Sequence, residues 1–471
     1  MASLFISAAH KSSGKTTVSI GLNAVLHRRG LRVQPFKKGP DYIDPIWLGM
    51  AAGRPCYNLD FFTAGKTETI KDFMRRSADA DISIIEGNKG LYDGLDLDGS
   101  NSNAALASAL KIPVILVIDA RGTMRGIAPL LIGYQVFDPR VNIAGVIANL
   151  TGGARHESKL RAAVEYYTDI PFLGALANEP SISLPEKHIG LIPGYEDPEA
   201  DDRISTIANA VNDHIDVDKI IDIAGTAPGV QSKSPAPVQI ATHDGLRIGI
   251  AQDSAFGFYY PGDLEAIQAT GAELVSINTF RDHELPCIDG LFIGGGFPER
   301  HAALLEANTR LRQSIKLAIE NGLPVYAECG GLMYLSRRLL YQNKSFDMVG
   351  AIAADTTMHE RPCGRGYVRL EENSQLSPWP RAGKPSATLC AHEFHYSSID
   401  GLPADSQFAY RVLRGSGINQ QYDGLVYKNL LASYTHLRNT PSTPWVDRFL
   451  AFVSQHKTTS KTQGQIMAQN S

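Results

Sequence analysis

Leu323-Pro324-Val325-Tyr326-Ala327-Glu328-Cys329-Gly330-Gly331-Leu332-Met333-Tyr334-Leu335 reads as a strand, a tight turn and the start of a helix. The β-branched and aromatic residues favour a buried extended run, the glycines permit the turn, and the apolar residues after them recur at helical spacing. A thiol at the tip of such a turn faces a helix N-terminus, whose partial positive charge favours the thiolate. Small neighbours also let a substrate carbonyl approach closely. A buried structural thiol is the plain alternative for a free cysteine. The strand–turn–helix setting makes Cys329 a candidate nucleophile instead.

The surroundings of this elbow repeat its pattern. Leu246–Ala251, Glu273–Ile277 and Gly290–Ile293 read as strands, and Pro261–Thr270 as a helix between the first two. Gly294-Gly295-Gly296-Phe297-Pro298-Glu299 follows the third strand as a glycine turn. Backbone N–H groups of Gly295 and Gly296, with that of Gly330, are expected to form an oxyanion hole. Leu430–His436 is a strand that brings His436 to its tip, where it can meet the elbow across a sheet edge. His392 and His395 compete with His436 for the part of base, since the chain has 13 histidines. Their spacing with Glu393 does not suit a metal, and they are expected to be substrate or structural contacts.

The N-terminal half carries a second motif. Leu4–Ala8 reads as a buried strand, Ala9-His10-Lys11-Ser12-Ser13-Gly14-Lys15-Thr16-Thr17 as a loop, and Val18, Leu22, Val25 and Leu26 as one face of a helix. Strand, Gly-Lys-Thr loop and helix form the setting a phosphate-binding P-loop needs. Backbone amides of Ser13, Gly14, Lys15, Thr16 and Thr17 would cradle phosphate oxygens, Lys15 would reach the terminal phosphates, and Thr16 would hold Mg²⁺. Ala9 stands where the usual pattern has its first glycine, which requires that its φ be negative.

Phe36-Lys37-Lys38-Gly39-Pro40-Asp41-Tyr42-Ile43-Asp44-Pro45 places two carboxylates beside two lysines in a proline-stiffened loop. Asp41 is expected to bind Mg²⁺; Lys38, Tyr42 and Asp44 are expected to meet an anionic substrate. Asp81–Gly87 is a strand ending in Glu86, a second metal ligand by position, with Asp93 a weaker candidate. Ile112–Asp119 and Ile143–Asn149 are further apolar strands, and Asn149 is a candidate to read the adenine ring or, equally, to cap a turn.

Strands alternating with helices predict an α/β protein of two doubly wound domains, at 1–224 and 245–455. Residues 225–244, rich in Gly, Ala, Pro and Ser, form the expected linker, and the polar residues 456–471 an expected disordered tail. The 471-residue chain has a net charge of −4, which gives no reason to expect nucleic acid or an anionic membrane as partner. Five scattered cysteines without CxxC spacing argue for a reducing compartment and against a zinc site. With no apolar run of membrane length and no signal peptide expected, the reading is cytoplasmic.

An ATP site and a Cys–His site in one chain suggest glutamine-dependent amide synthesis. Seven motifs in order carry a resemblance to a known family. They are Lys37–Pro45, Gly53–Cys56, Leu184–His188, Phe256–Pro261, Glu328–Leu332, His392–Tyr396 and Ala432–His436. Together they closely resemble the cobyrinic acid a,c-diamide synthases. The resemblance implies a dethiobiotin-synthetase-type first domain and a class I-like glutamine amidotransferase domain. It implies Mg²⁺-ATP-dependent amidation of two acetate groups on a modified tetrapyrrole, cobyrinate or hydrogenobyrinate, through an acyl phosphate. Cys329 takes the position of the family's nucleophile and His436 that of its base, while Thr16, Asp41 and Glu86 fall where nucleotide-linked Mg²⁺ would sit. A homodimer is one assembly this reading allows. The Ala9–Ser13 loop departs from the family's glycine-rich form and resembles relatives thought to amidate sirohaem, which makes sirohaem the alternative macrocycle. Class I amidotransferases often carry an acid two residues after the histidine; Arg438 stands there, so a Cys–His dyad is expected. Partitioning-type ATPases share features of the first domain but not the second.

Overall fold

Leu4, Phe5 and Ile6 are wholly buried on both faces of their strand, and the first sheet is built around them. In this computed structural model the described residues are 2–184, 186–187, 190–228, 242–380 and 388–469, without the side chains of 186, 187, 190 and 458–469. The chain forms two compact units, Met1–Phe61 with Gly65–Ala236, and Phe62–Ala64 with Pro237–Ser471. Residues 229–241, within the expected linker, lie outside the described residues, as do 185 and 188 of the Leu184–His188 motif.

In the first unit, β1 (Ala2–Ala8), β2 (Val33–Lys38), β3 (Tyr57–Leu59), β4 (Ile82–Glu86), β5 (Val114–Asp119), β6 (Ile143–Thr151) and β7 (Phe172–Ala177) make one sheet. Their order is β3-β2-β4-β1-β5-β6-β7, and all neighbours run parallel. One face packs on α1 (Lys15–Arg28) and the helix Ala200–His214, through Leu22 and Ile207 among others. The other face packs on helices that contribute Leu106, Leu131 and Leu160. Both faces are thus covered, which is why the strands are apolar throughout rather than alternating. All seven carboxyl ends reach one edge, the edge at which such sheets bind ligands. Register sets Glu86 beside Ile6 of β1 and Lys37 of β2. A short antiparallel pair, β8 (Glu186–Lys187) and β9 (Gly190–Leu191), follows.

The second unit contains β10 (Arg247–Ala251), β11 (Glu273–Ile277), β12 (Gly290–Ile293), β13 (Val325–Glu328), β14 (Arg338–Tyr341), β15 (Lys344–Asp347), β16 (Asp355–Met358) and β17 (Gly364–Glu372). It continues with β18 (Thr388–His395), β19 (Ser397–Asp400), β20 (Gln407–Arg414), β21 (Tyr422–Tyr427) and β22 (Leu430–Ser433). The main sheet runs β11-β10-β12-β13-β22-β21-β20-β17-β18. Its first five strands are parallel, as the alternating pattern predicts. The remaining four extend it by antiparallel pairing, which the sequence reading does not locate. Strands β14, β15, β16 and β19 form a separate small sheet.

The tail departs from expectation. The helix Trp445–Gln469 runs through most of residues 456–471, with 470–471 outside the described residues. Its first turns explain the difference: Trp445, Val446, Phe449, Leu450 and Val453 are buried in the core, and a helix anchored there continues into polar sequence. No helix among the described residues is long and apolar enough to cross a membrane.

Candidate active site

In the second unit β13 ends at Glu328, and Cys329 turns the chain into the helix Gly330–Leu335. Cys329 has φ 47° and ψ −99°, a left-handed conformation strained for a residue with a Cβ. Its amide donates to Ser433 O at 2.7 Å, so the end of the neighbouring β22 holds the turn in place. That contact extends the β13–β22 register, in which Glu328 lies opposite Ser433, and it brings His436 beside the thiol. His436 hydrogen-bonds to Cys329, and its Nδ1 lies 3.4 Å from Glu328 Oε2. Burial pulls the imidazolium down, but the bonds to Cys329 and Glu328 and their charges outweigh it and push it up to about 10. A carboxylate therefore reaches His436 after all, from the residue before the nucleophile rather than from the position that Arg438 occupies.

The three glycines expected at the oxyanion hole sit around this pair in different ways. A Cβ on Gly330 would fall 3.1 Å from Gly296 N, so the Gly296 and Gly330 backbones lie side by side next to Cys329. Gly295 supplies space: a Cβ there would fall 2.5 Å from His436 Cε1, and its carbonyl accepts from the amides of Gly257 and Phe258. His392 stacks on His436 with ring centroids 4.9 Å apart, and its Nδ1 lies 3.2 Å from Tyr260 OH. Burial, helped by His436, holds it well below the usual histidine range and hence neutral. Glu393 accepts from the amides of Ser416 and Gly417, and His395 stacks on Tyr434 at 3.7 Å. These contacts fit the structural part expected for that motif.

In the first unit Gly14 caps α1 with φ 81°, and Ser12 is also left-handed at φ 64°. Ala9 is not among the positive-φ residues, which is how it replaces a glycine. Ser13 is buried and its hydroxyl donates to His10 O. Lys15, Thr16 and Thr17 form the first turn of α1. Thr16 Oγ1 donates to Glu86 Oε1 at 2.7 Å, and Lys37 Nζ donates to the same oxygen at 2.8 Å. Lys37 also pairs with Asp44, and Asp41 Oδ1 accepts from the amides of Ile43 and Asp44 at the start of α2 (Ile43–Ala52). Tyr42 is half-buried at the same helix start. Burial and Lys37 lower the Lys15 ammonium. Burial opposes the Lys37 ammonium, yet Asp44, Glu86 and Asp41 outweigh it and push it up. Burial and Asp44 raise the Asp41 carboxyl.

Lys38, Asn149 and Asp93 have partners within the fold. Lys38 does not join the cluster: it points to the opposite face of β2 and donates to Asn101 O at 2.5 Å. Lys37 lies in the cluster instead, between Asp44 and Glu86. Asn149 is buried, and its amide donates to Ser13 O at 3.0 Å, where a Cβ on Gly14 would collide with it. It braces the loop from behind. Asn149→Ala is expected to weaken nucleotide binding about tenfold by leaving Ser13 O unpaired. Isothermal titration would check this, and unchanged affinity would refute the bracing role. Asp93 accepts from Gly90 N and closes its own turn.

A strained thiol beside a buried imidazole, with paired backbones at a glycine turn, suits nucleophilic attack on an acyl carbon. A helix N-terminus with Lys15, Lys37 and Glu86 suits phosphate and a cation. Fold and sites define a carbon–nitrogen ligase with a nucleotide-binding unit and a glutamine amidotransferase unit. Residues 5–192 match the CobQ/CobB/MinD/ParA nucleotide binding domain, and residues 247–442 the CobB/CobQ-like glutamine amidotransferase domain. Relatives named cobyrinate a,c-diamide synthase align along almost the whole chain. That of Magnetococcus marinus is 44% identical over 95% of this chain and 96% of its own. That of Methanosarcina acetivorans is 41% identical over 92% of each, and that of Listeria innocua 38% over 93% and 96%. The chain belongs to the cobyrinate a,c-diamide synthase family.

Proposed function

We propose that this protein converts the a and c acetate carboxylates of cobyrinate or hydrogenobyrinate to amides in the cytoplasm, using ATP and glutamine. The observation that carries the reading is the presence of both chemical centres in a chain matched nearly end to end by cobyrinate a,c-diamide synthases. A carboxylate does not accept ammonia unaided, because hydroxide is a poor leaving group. Transfer of the γ-phosphoryl group makes an acyl phosphate whose leaving group is phosphate. The P-loop amides from Ser13 to Thr17 and Lys15 hold the nucleotide's phosphates. Lys37 offers a second ammonium at the same edge, fixed by Asp44 and Glu86. Tyr42 and Asp44, at the start of α2, meet the substrate in this reading.

Mg²⁺ fits this centre. Among the described residues Glu86 Oε2 is buried without a hydrogen-bond partner next to Thr16, and the charges of Asp44 and Glu86 act on Asp41. No three His, Cys, Asp or Glu side chains among the described residues gather into a metal-holding group by themselves. Thr16, Glu86 and Asp41 would hold the ion, which neutralises charge on the phosphates when bound.

In the second unit Cys329 Sγ attacks the glutamine side-chain carbonyl, with the Gly296 and Gly330 amides facing the developing oxyanion. The C–N bond breaks, and His436 gives its proton to the departing ammonia. Water then hydrolyses the glutamyl thioester, and ammonia displaces phosphate from the acyl phosphate.

The test offers cobyrinic acid, hydrogenobyrinic acid and sirohaem in parallel with Mg²⁺-ATP and glutamine. Mass spectrometry should find a corrin product lighter by the difference between hydroxyl and amino at two carboxyls. The same change on sirohaem alone would replace the substrate and keep the chemistry. ATP hydrolysis with no amidated product would refute the ligase reading.

A further inference from the structure

We infer that Glu328 is a positioning residue for His436, reaching it from the nucleophile's own strand and replacing the acid missing at Arg438. The inference rests on the reading of Cys329 and His436 as the glutamine-hydrolysing pair. Tyr326 and Glu328 are two residues apart on β13 and so face the same side of the sheet. Glu328 Oε1 accepts from Tyr326 OH at 2.5 Å and from Leu437 N at 2.8 Å. These bonds fix the carboxylate and turn Oε2 toward His436 Nδ1, 3.4 Å away, with both side chains 3% exposed. With Nδ1 directed at Glu328, Nε2 is the ring nitrogen left for Cys329.

The other charged groups around this loop are committed elsewhere. Asp263 accepts from Trp445 Nε1 and Asn439 N. Asp423 accepts from Gly424 N, Tyr434 N and Thr435 N. The Arg438 guanidinium lies over the Tyr260 ring at 5.7 Å. His392, stacked on the His436 face, is neutral and adds no charge. Glu328 presents Oε2 to His436 Nδ1. It stabilises the imidazolium, the form that protonates the leaving ammonia, and holds the ring against rotation away from sulfur. As the thioester is hydrolysed, His436 takes a proton from water, the Sγ–carbon bond breaks, and the pair returns to its starting state.

Glu328→Gln separates this part from a merely structural one. Glutamine keeps a carbonyl for Tyr326 and Leu437 N but puts an NH₂ where His436 needs an acceptor. Glutamine hydrolysis by the full chain should fall about tenfold to a hundredfold. Its alkaline limb, expected where the His436 imidazolium, pushed up to about 10, loses its proton, should move down by about one unit or more when the opposing charge is removed. Glu328→Asp should recover part of the shift. Tyr326→Phe, which leaves Leu437 N on Oε1, should move the limb the same way by less. Imidazole NMR, with His436→Gln to assign the signal, reads the same titration without turnover and so remains decisive if glutaminase activity is absent. A Glu328→Gln profile that superposes on the wild type after scaling would overturn the inference. Wild-type protein without glutaminase activity, but with a high His436 titration that falls in Glu328→Gln, would support the positioning and refute the glutaminase reading.

Discussion

Cys329→Ala is expected to remove glutamine-dependent amidation by about a thousandfold or more, the scale on which loss of a covalent nucleophile is felt. Amidation with free ammonia should survive, because only the nitrogen source is lost. The fold should tolerate the change. The backbone bond from residue 329 to Ser433 O and the β13–β22 register do not involve the sulfur. Alanine also fits wherever cysteine does, although the left-handed strain at φ 47° remains. Rates measured with glutamine and with ammonium salts decide the matter. If ammonia fails to rescue the variant, the proposed division of labour between the two units is wrong.

Lys15→Ala should have the opposite profile. Both the glutamine and the ammonia routes should drop by about a hundredfold or more, the scale on which a preorganised charge at a transferring phosphoryl group is felt. Glutamine hydrolysis should continue, since Lys15 belongs to the first unit and the Cys329–His436 pair to the second. Lys15 is buried beside Lys37, Glu86, Asp44 and Asp41, so the loss also unbalances that cluster. A comparison with Lys15→Arg controls for this by restoring a charge without the compact ammonium of lysine. Ligation that persists in Lys15→Ala would refute the P-loop assignment.

Much of the fold was legible because parallel strands write themselves as uninterrupted apolar runs. Leu4–Ala8 followed by Gly14-Lys15-Thr16, and Val325–Glu328 followed by Cys329-Gly330-Gly331, gave the two centres directly. What failed was side-chain direction. Lys37 and Lys38 are adjacent, and strand alternation says that only one can face the P-loop; choosing between them needs the register that pairs Lys37 with Glu86. Asn149 lies at the expected edge, but strand spacing alone does not say that its amide comes to rest against Ser13 and Gly14. Glu328 did leave a signal. A carboxylate closing the apolar run Val325-Tyr326-Ala327 must be paired if buried, and the nearest partner to a nucleophile is its base. The antiparallel strands were readable in part: Val368, Leu370 and Glu372 alternate as buried residues in β17. The C-terminal helix was missed because the polar residues after 455 outweighed the buried Trp445–Val453 face that anchors it.

The central claim is that glutamine nitrogen enters two carboxylates of one tetrapyrrole at the expense of ATP. The most direct measurement supplies amide-¹⁵N glutamine with Mg²⁺-ATP and cobyrinate and follows label and phosphate together. The expected product is a diamide with ¹⁵N at both new amides and one phosphate released for each. Phosphate release with no ¹⁵N in the macrocycle would contradict it.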